Sequence, residues 1–320
     1  MTYEQNWHDV IINGNLNVNQ LNSMNSNSPV TRGMERNRDN APVEVSDFTR
    51  FVSSFDIQID QYRFLDDDNT PVTLLIAEPV PDNVLNGHNN ATRQEEQSVN
   101  GYTLTQGISY MDLHAREPRQ QSESRKIEVD ARPGEEGQYL SQLWLKGKDH
   151  DTVTFFSEIY TTLQHEPDRK YLIGLVSEDV GIKSGIDGNM FAISDIVLGS
   201  TGHNKREIRN KKIGLLSGHK ISKKDNLQVY IEAYNFDVKK DGSVYQIQYS
   251  LEPASRRTRQ AQGSPVSLVW QSNTMSPMDF QFFEVELENI PPGDYRLTLT
   301  LSETQSGRTA KGTAPVEITR

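Results

Sequence analysis

The residues of this 320-residue chain that could support chemistry are seven histidines, a few acidic clusters and two glycine-rich stretches. The histidines, at positions 8, 88, 114, 150, 165, 203 and 219, form no pair at the i, i+4 spacing of a helical metal motif. A zinc site would have to be assembled from distant strands, and the spacing gives no support for one. Cysteine is absent, which excludes disulfides, thiolate metal sites and a cysteine nucleophile.

The glycine-rich and acidic stretches also depart from known chemical motifs. Residues 214–220 lack the full phosphate-binding loop, and residues 181–185 lack the central serine spacing of a nucleophile elbow. The run Asp66 to Asn69 could offer oxygen ligands to calcium, but it lacks the central glycine and terminal glutamate of the twelve-residue calcium loop. We interpret it as a hairpin turn. The sequence therefore predicts no catalytic residue, no cofactor-binding residue, no metal ligand and no cofactor.

Alternating apolar residues indicate that β-strands build the protein. Phe51, Phe55, Ile57 and Ile59 share one face of a strand, and the same period of two recurs in 227–233 and 245–251. Asp241 and Gly242 supply turn residues between the last two strands. Long helical patterns are absent from the sequence. We therefore predict an all-β fold of two tandem antiparallel β-sandwich (Ig-like) domains with a disordered N-terminal tail.

A repeated pattern suggests that the two domains resemble each other. Residues 165–175 and 290–301 each combine a proline-containing turn, a tyrosine (Tyr171 or Tyr295) and an alternating strand. A strand with paired phenylalanines precedes each of them, at Phe155-Phe156 and at Phe282-Phe283. We expect both tyrosines to be structural, with the ring over the core edge and the hydroxyl on backbone.

Composition sets the predicted domain boundaries. Residues 1–46 are rich in asparagine and form a disordered tail, and the first β-sandwich domain covers 47–202, with surface loops at 82–100 and 115–124. Residues 203–225 carry eight basic residues against two acidic ones, and we interpret them as a basic linker that docks on acidic surface; binding of an anionic polymer or head group is the alternative. The second β-sandwich domain covers 226–320.

Charge and hydropathy restrict the partners. The formal net charge of −11 repels phosphate backbones and anionic membranes, so we predict no nucleic-acid partner. No run approaches the roughly 20 apolar residues of a membrane-spanning helix, and no signal peptide is visible, so a cytoplasmic location stays open.

Trp144 lies between two leucines and Trp270 continues the face of Val266 and Leu268, which favours core packing over stacking on a carbohydrate.

Three motifs resemble a known family. Ser194-Asp195-Ile196-Val197-Leu198, the run from Tyr230 to Phe236, and Pro292-Gly293-Asp294-Tyr295-Arg296-Leu297 are together similar to the C-terminal β-sandwich region of bacterial GWxTD-domain proteins, over about residues 170–320. The Gly-Trp-x-Thr-Asp motif itself does not occur in the chain. The resemblance implies an extracytoplasmic protein, in the periplasm or at the cell surface, without an established catalytic role. It carries over no functional residue, and we expect the matching positions to determine the fold.

Three hypotheses of function follow. The first is a non-enzymatic structural or interaction protein of a bacterial cell envelope, which acts on a protein partner through tandem β-sandwich surfaces. The alternative is a carbohydrate-binding or hydrolase-accessory module. A third, a metal-dependent enzyme, requires that His150, His165, His203 and His219 cluster in space.

Overall fold

A computed structural model of the protein describes residues 53–81, 83–85, 87, 99–112, 117–127, 140–146, 152–164, 166–209, 211–254 and 265–320. These residues contain 18 strands in five sheets, which confirms the all-β fold class. In chain order the strands are β1 (Asp56–Leu65), β2 (Pro71–Val80), β3 (Val99–Asp112), β4 (Glu117–Ile127), β5 (Ser141–Lys146), β6 (Thr152–Leu163), β7 (Glu166–Gly181), β8 (Ala192–Ile193), β9 (Val197–Ser200), β10 (Arg206–Ile208), β11 (Lys211–Ile213), β12 (Lys220–Ser222), β13 (Leu227–Tyr234), β14 (Ser243–Pro253), β15 (Val266–Thr274), β16 (Met278–Val285), β17 (Gly293–Glu303) and β18 (Thr309–Thr319).

The chain forms two compact units that alternate along the sequence. The described residues of the first lie within Met1–Gln58, Glu78–Glu135 and Asp149–Ile182, and those of the second lie within Ile59–Ala77, Glu136–Lys148 and Lys183–Arg320. This differs from the two consecutive domains expected at 47–202 and 226–320. Alternation indicates that a strand has a buried face, but it does not indicate which sheet covers that face. The tail expected at 1–46 lies outside the described residues.

The first unit contains a four-stranded antiparallel sheet in the order β4-β3-β6-β7. Strand β6 is buried along most of its length, with Phe155 and Phe156 on opposite faces both fully enclosed. Strand β4 covers most of the loop that we expected at 115–124, so that expectation was wrong. Its residues are polar and lack alternation, and the strand is held by main-chain pairing with β3 at the sheet edge. Of the loop expected at 82–100, most lies outside the described residues.

The second unit stacks its sheets around one doubly covered strand. All eight residues of β13 are buried. Leu227, Val229, Ile231 and Ala233 lie in a large core, here called the sandwich core, which is shared with β14, β17 and β18. Tyr230 points to the other side, into a second core shared with the β1–β2 hairpin, β10 and β11. The β13 sheet, ordered β16-β13-β8 with β9 also on β13, therefore lies between two apolar layers.

The outer sheets complete this stack. The sandwich core is closed by a five-stranded sheet in the order β12-β18-β17-β14-β15, in which β12 and β18 are parallel and the other pairs are antiparallel. The second core is closed by β1, β2 and β5 and by the two-stranded β10–β11 sheet. Residues 66–70 connect β1 and β2 as a tight turn, with Asn69 at a φ of 62°, which confirms the predicted hairpin.

Residues 203–225 are part of this stack and include β10, β11 and β12. Ile208 and Ile213 are fully buried in the second core, and Ile221 is buried in the sandwich core. The linker interpretation was therefore wrong. In these three short strands the basic residues lie at more exposed positions than the isoleucines. Because basic residues outnumber the buried isoleucines, the composition of the segment resembled that of a linker.

The repeated turn-and-tyrosine pattern does not mark a repeated topology. Strands β6 and β7 are paired neighbours, whereas β16 pairs with β13 and β17 pairs with β14 and β18 in the facing sheet. The turn at Asp241-Gly242 likewise connects β13 to β14 across the sandwich core. Both tyrosines are buried as predicted, and the Tyr295 hydroxyl donates to the Pro291 carbonyl at 2.7 Å.

Candidate functional site

The most conspicuous buried charge of the second unit is Glu232, on β13. Its side chain is 1% exposed, and its two oxygens accept hydrogen bonds from Tyr230 and Tyr234, each at 2.6 Å. The Tyr234 hydroxyl also accepts the backbone N–H of Leu65 at 3.1 Å. Residues i and i+2 of a strand share a face, so the three side chains meet because of their spacing.

Arg209 supplies the charge that compensates Glu232. Its Nε lies 3.4 Å from Glu232 Oε1, Nη1 lies 3.2 Å from Asp66 Oδ1, and Nη2 donates to the Leu65 carbonyl at 2.9 Å. Lys146 adds a second cation on Asp66 at 2.6 Å. Both carboxylates are thus engaged by protein groups, and the Asp66 turn discussed as a calcium ligand forms ion pairs instead.

The electrostatics of this cluster keep its two tyrosine hydroxyls and its guanidinium protonated near neutral pH. Burial and the adjacent charge of Glu232 raise the pKa of Tyr230 and of Tyr234 well above the ordinary tyrosine value. Burial acts to lower the pKa of Arg209, but the charge of Glu232 and the hydrogen bond to Asp66 keep it above its ordinary value. The cluster therefore pairs Glu232 and Asp66 with Arg209 and Lys146, and these contacts join β13, the end of β1 and the residue that follows β10.

The first of the three motifs that resemble GWxTD-domain proteins, residues 194–198, also has a structural role. Ser194 Oγ donates to the Asp195 carbonyl at 2.8 Å and accepts the Glu232 N–H at 2.9 Å, while Ile196 is buried in the sandwich core, as expected. Asp195 accepts two hydrogen bonds from the Arg63 guanidinium, at 2.7 and 2.9 Å. The carboxylate thereby fixes β1 rather than only its local backbone.

Trp144 and Trp270 pack against cores, as predicted, and each keeps part of its surface open. Trp144 tilts against Phe64 at 5.5 Å between ring centroids, with the Arg209 guanidinium 5.4 Å from its own centroid. Trp270 meets Phe283 edge-on at 5.2 Å. Each indole is therefore engaged by protein groups on part of its surface.

Two of the four histidines of the metal hypothesis can be placed. His203 Nδ1 lies 3.2 Å from the Leu215 carbonyl, and His219 lies beside Asp60. His150 and His165 lie outside the described residues. Among the residues that are described, no group of three or more histidines, cysteines or carboxylates is arranged to hold a metal ion.

The surface of the second unit that best fits a binding role is the edge strand β15. Among the described residues β15 pairs only with β14, so one side of its backbone has no described strand partner. Val266 and Leu268 lie opposite Leu251 and Tyr249 and share their core-side face. We expected that face to be buried. It is instead open: Val266 is 39% exposed, Leu268 is 54% exposed, and Val269 on the opposite face is 45% exposed.

The exposed apolar residues of this face lie in the first half of β15. Trp270 still reaches Phe283 of β16 and the sandwich core, but Leu268 and Val266 continue the apolar face beyond that contact. None of the nine residues of β15 is charged. Alternation alone could not reveal this, because a core-facing pattern looks the same whether or not another layer covers it.

The opposite edge of the same sheet is constructed differently. Strand β12 has three residues, and its Lys220 forms an ion pair with Glu317 at 4.0 Å. Short length and lysine are common means by which proteins prevent unwanted strand pairing at sheet edges. β15 has neither protection, so its long uncharged edge can accept another strand.

Comparisons with known proteins add no functional assignment. No protein-family model matches the sequence, and a search of curated proteins found no relative. Among solved structures, red sea bream transglutaminase is similar at 7% identity and a TM-score of 0.21, over 83% of this chain. The chain spans 31% of the length of that transglutaminase. Within the part of the chain that the structure describes, no helix is long and apolar enough to cross a membrane.

Proposed function

We propose that this protein is a non-enzymatic interaction protein that binds an extended segment of a protein partner along the edge of β15. The observation that carries the proposal is the nine-residue uncharged edge, with Val266, Leu268 and Val269 exposed. An added strand would satisfy the outer backbone groups of β15, and its alternate side chains would cover Leu268 and Val266. We therefore expect the partner segment to be extended, with apolar residues at alternate positions.

A place in the bacterial cell envelope is part of this proposal and rests on the resemblance to GWxTD-domain proteins. β-Sandwich sheets of the Ig-like type, as inferred from the sequence, would suit a protein that spaces or joins other components. The half-buried tryptophans favour protein binding over the alternative of carbohydrate binding, because the rings are engaged by Phe64, Arg209 and Phe283.

A selection of displayed peptides tests the proposal. A random library of about 12 residues would be selected against the whole protein, and bound peptides would be compared on wild type and on Leu268→Lys. A lysine on the edge should weaken binding of extended peptides about tenfold or more, because the ammonium group must be desolvated or displaced. Hydrogen exchange should show slower exchange of the β15 amides when peptide is bound.

Met190→Lys is the matched control. Met190 belongs to the same unit and is 62% exposed, but it lies outside β15, so its replacement should leave peptide binding unchanged. Equal loss of binding in both variants would contradict the proposal. Selection of peptides whose binding slows no β15 amide would also contradict it, and association of the protein with itself through β15 would identify a second copy as the occupant.

A further inference from the structure

Two edge strands, β15 and β16, lie on the same side of the sandwich core. Among the described residues, β15 pairs only with β14 and β16 pairs only with β13. Trp270 on β15 contacts Phe283 on β16 and Tyr249 on β14, with ring centroids 5.2 and 6.3 Å apart. Leu268, which is 54% exposed, lies opposite Tyr249 and extends the apolar surface beside these rings.

Polar groups follow the aromatic residues along the same two faces. Ser272 lies on the core-side face of β15, and Gln281 and Asp279 lie on the core-side face of β16. All three meet at the hydroxyl of Tyr245 on β14. This hydroxyl donates to Asp279 Oδ2 at 2.6 Å and accepts from Gln281 Nε2 at 2.6 Å, and it also forms a hydrogen bond with the Ser272 side chain. The surface between the two edges therefore changes from apolar at one end to polar, with a negative charge, at the other.

Asp279 has hydrogen-bond donors but no counter-charge. It is half-buried, and its Oδ1 accepts the N–H of the next residue at 2.8 Å. Glu232, Glu303 and Asp195 of the same unit each form an ion pair with an arginine. In the part of the chain that the structure describes, no lysine, arginine or histidine forms an ion pair with Asp279.

The charge of Asp279 selects among segments that could bind beside it. Burial, followed by the hydrogen bond to Asp279, raises the pKa of Tyr245 above its ordinary value, so near neutral pH the hydroxyl is a neutral donor and does not balance the charge. An inward-pointing charge at a sheet edge disfavours pairing with acidic or wholly apolar strands. A segment that brings a cation is favoured instead.

We propose that the segment bound along β15 carries a basic residue four positions from an apolar one, and that the basic residue pairs with Asp279. This inference rests on the proposed function and adds the chemistry of the partner. Residues of an added strand that lie opposite Leu268 and Ser272 are four positions apart and share one face, whichever way the strand runs. The first covers Leu268, and the second lies on the face from which Ser272 reaches Tyr245. A lysine or arginine there supplies N–H donors and a positive charge.

A focused peptide library tests this inference. Peptides of about 12 residues would carry a fixed leucine and, four positions before or after it, an arginine, a glutamine or a glutamate, with random residues elsewhere. After selection on the whole protein, we expect arginine peptides to bind about fivefold or more tightly than glutamine peptides, and glutamate peptides to be depleted. In a second library the arginine lies three positions from the leucine. The two side chains then point to opposite faces of the strand, so the advantage of arginine should disappear.

Two protein variants assign the preference to Asp279. Asp279→Asn removes the charge and keeps an acceptor for the Tyr245 hydroxyl, so the variant should fold and should bind arginine and glutamine peptides about equally. Glu284→Gln is the matched control. It removes one negative charge from the same strand, but Glu284 is exposed and lies on the opposite face, where it accepts from Gln228. The preference for arginine should persist in this variant.

The outcomes separate this inference from the proposed function, because hydrogen exchange of the β15 amides reports where a peptide binds. Equal binding of the three peptide classes, with slower exchange of the β15 amides, would overturn this inference alone. A preference for arginine that survives in Asp279→Asn, or that Glu284→Gln abolishes equally, would result from the net charge of −11 and would also overturn it. Selection of no peptide that slows the β15 amides would overturn both proposals.

Discussion

Glu232 carries a negative charge in the interior of the second unit, and four neighbouring groups make that tolerable. Tyr230 and Tyr234 donate to it, Arg209 lies within ion-pair distance, and Ser194 holds its backbone. A buried charge with a complete set of partners stabilises the native arrangement mainly because any disturbance leaves one partner unsatisfied. Perturbed pKa values also occur in acid–base sites, so these residues resemble such a site when only their pKa values are considered.

Glu232→Gln should therefore lower the free energy of unfolding by roughly 3 kcal/mol, because Arg209 loses its nearest buried counter-charge and one tyrosine loses its acceptor. Urea denaturation of wild type and variant measures the difference. Glu288→Gln, at an exposed position, should change stability by no more than about 0.5 kcal/mol. An unfolding free energy that stays the same in Glu232→Gln would mean that the cluster does not hold the layers together.

At the scale of elements, the β17–β18 connection is secured by Glu303. Its side chain is fully buried and accepts hydrogen bonds from Ser243 at 2.7 Å, from the Asp237 N–H at 2.7 Å and from Arg308 at 2.7 and 2.9 Å, with a further contact from the Ser306 hydroxyl. Burial alone would raise the pKa of Glu303, but the hydrogen bonds from Ser306, Ser243 and Arg308 lower it to about 2.

Acid should weaken this connection in a defined pH window. Because the folded pKa is below the ordinary value of about 4.5, the carboxylate contributes stability above pH 4.5 that is lost as the pH falls towards 2. The full contribution is roughly 3 kcal/mol. Denaturation of wild type and Glu303→Gln at several pH values checks this: the difference between them should shrink as the pH falls from about 5 to 3. A constant difference would show that ionisation of Glu303 does not matter.

Sequence patterns predicted the positions of strands better than they predicted which strands pair or pack together. Period-two alternation located β13, β14 and β17, because a half-buried strand must place apolar residues on one face. The polar β4 and the short β10 to β12 were missed, since pairing and a few anchoring residues define them. The uncovered face of β15 and the grouping of Ser272, Tyr245 and Asp279 depend on which strands meet, and no local pattern records that.

At the scale of the whole molecule, the second unit cannot be cut at the boundaries suggested by composition. A fragment of residues 226–320 would retain β13 but lose β8 and β9, which pair with it, and β1 and β2, which cover Tyr230 and its neighbours. Exposing that polar and aromatic face should prevent cooperative folding.

Thermal unfolding of the isolated 226–320 fragment, followed by circular dichroism, tests this expectation. We expect a broad transition and binding of a hydrophobic dye, whereas the full chain should show a sharp transition. A cooperative transition in the fragment, at a temperature near that of the full chain, would show that the second core is dispensable.

The double covering of β13 also has a consequence for how the chain is made. A ribosome releases the β1–β2 hairpin more than 140 residues before Leu227, the first residue of the strand that lies across the core from it. Until that moment Phe64, Leu74 and Ile76 lack the β13 layer of their core, so the nascent polypeptide exposes apolar surface for several seconds at ordinary elongation rates of about 5–20 residues per second. Completion of this unit is therefore a late event in synthesis, and a holding chaperone would have its greatest value during that interval.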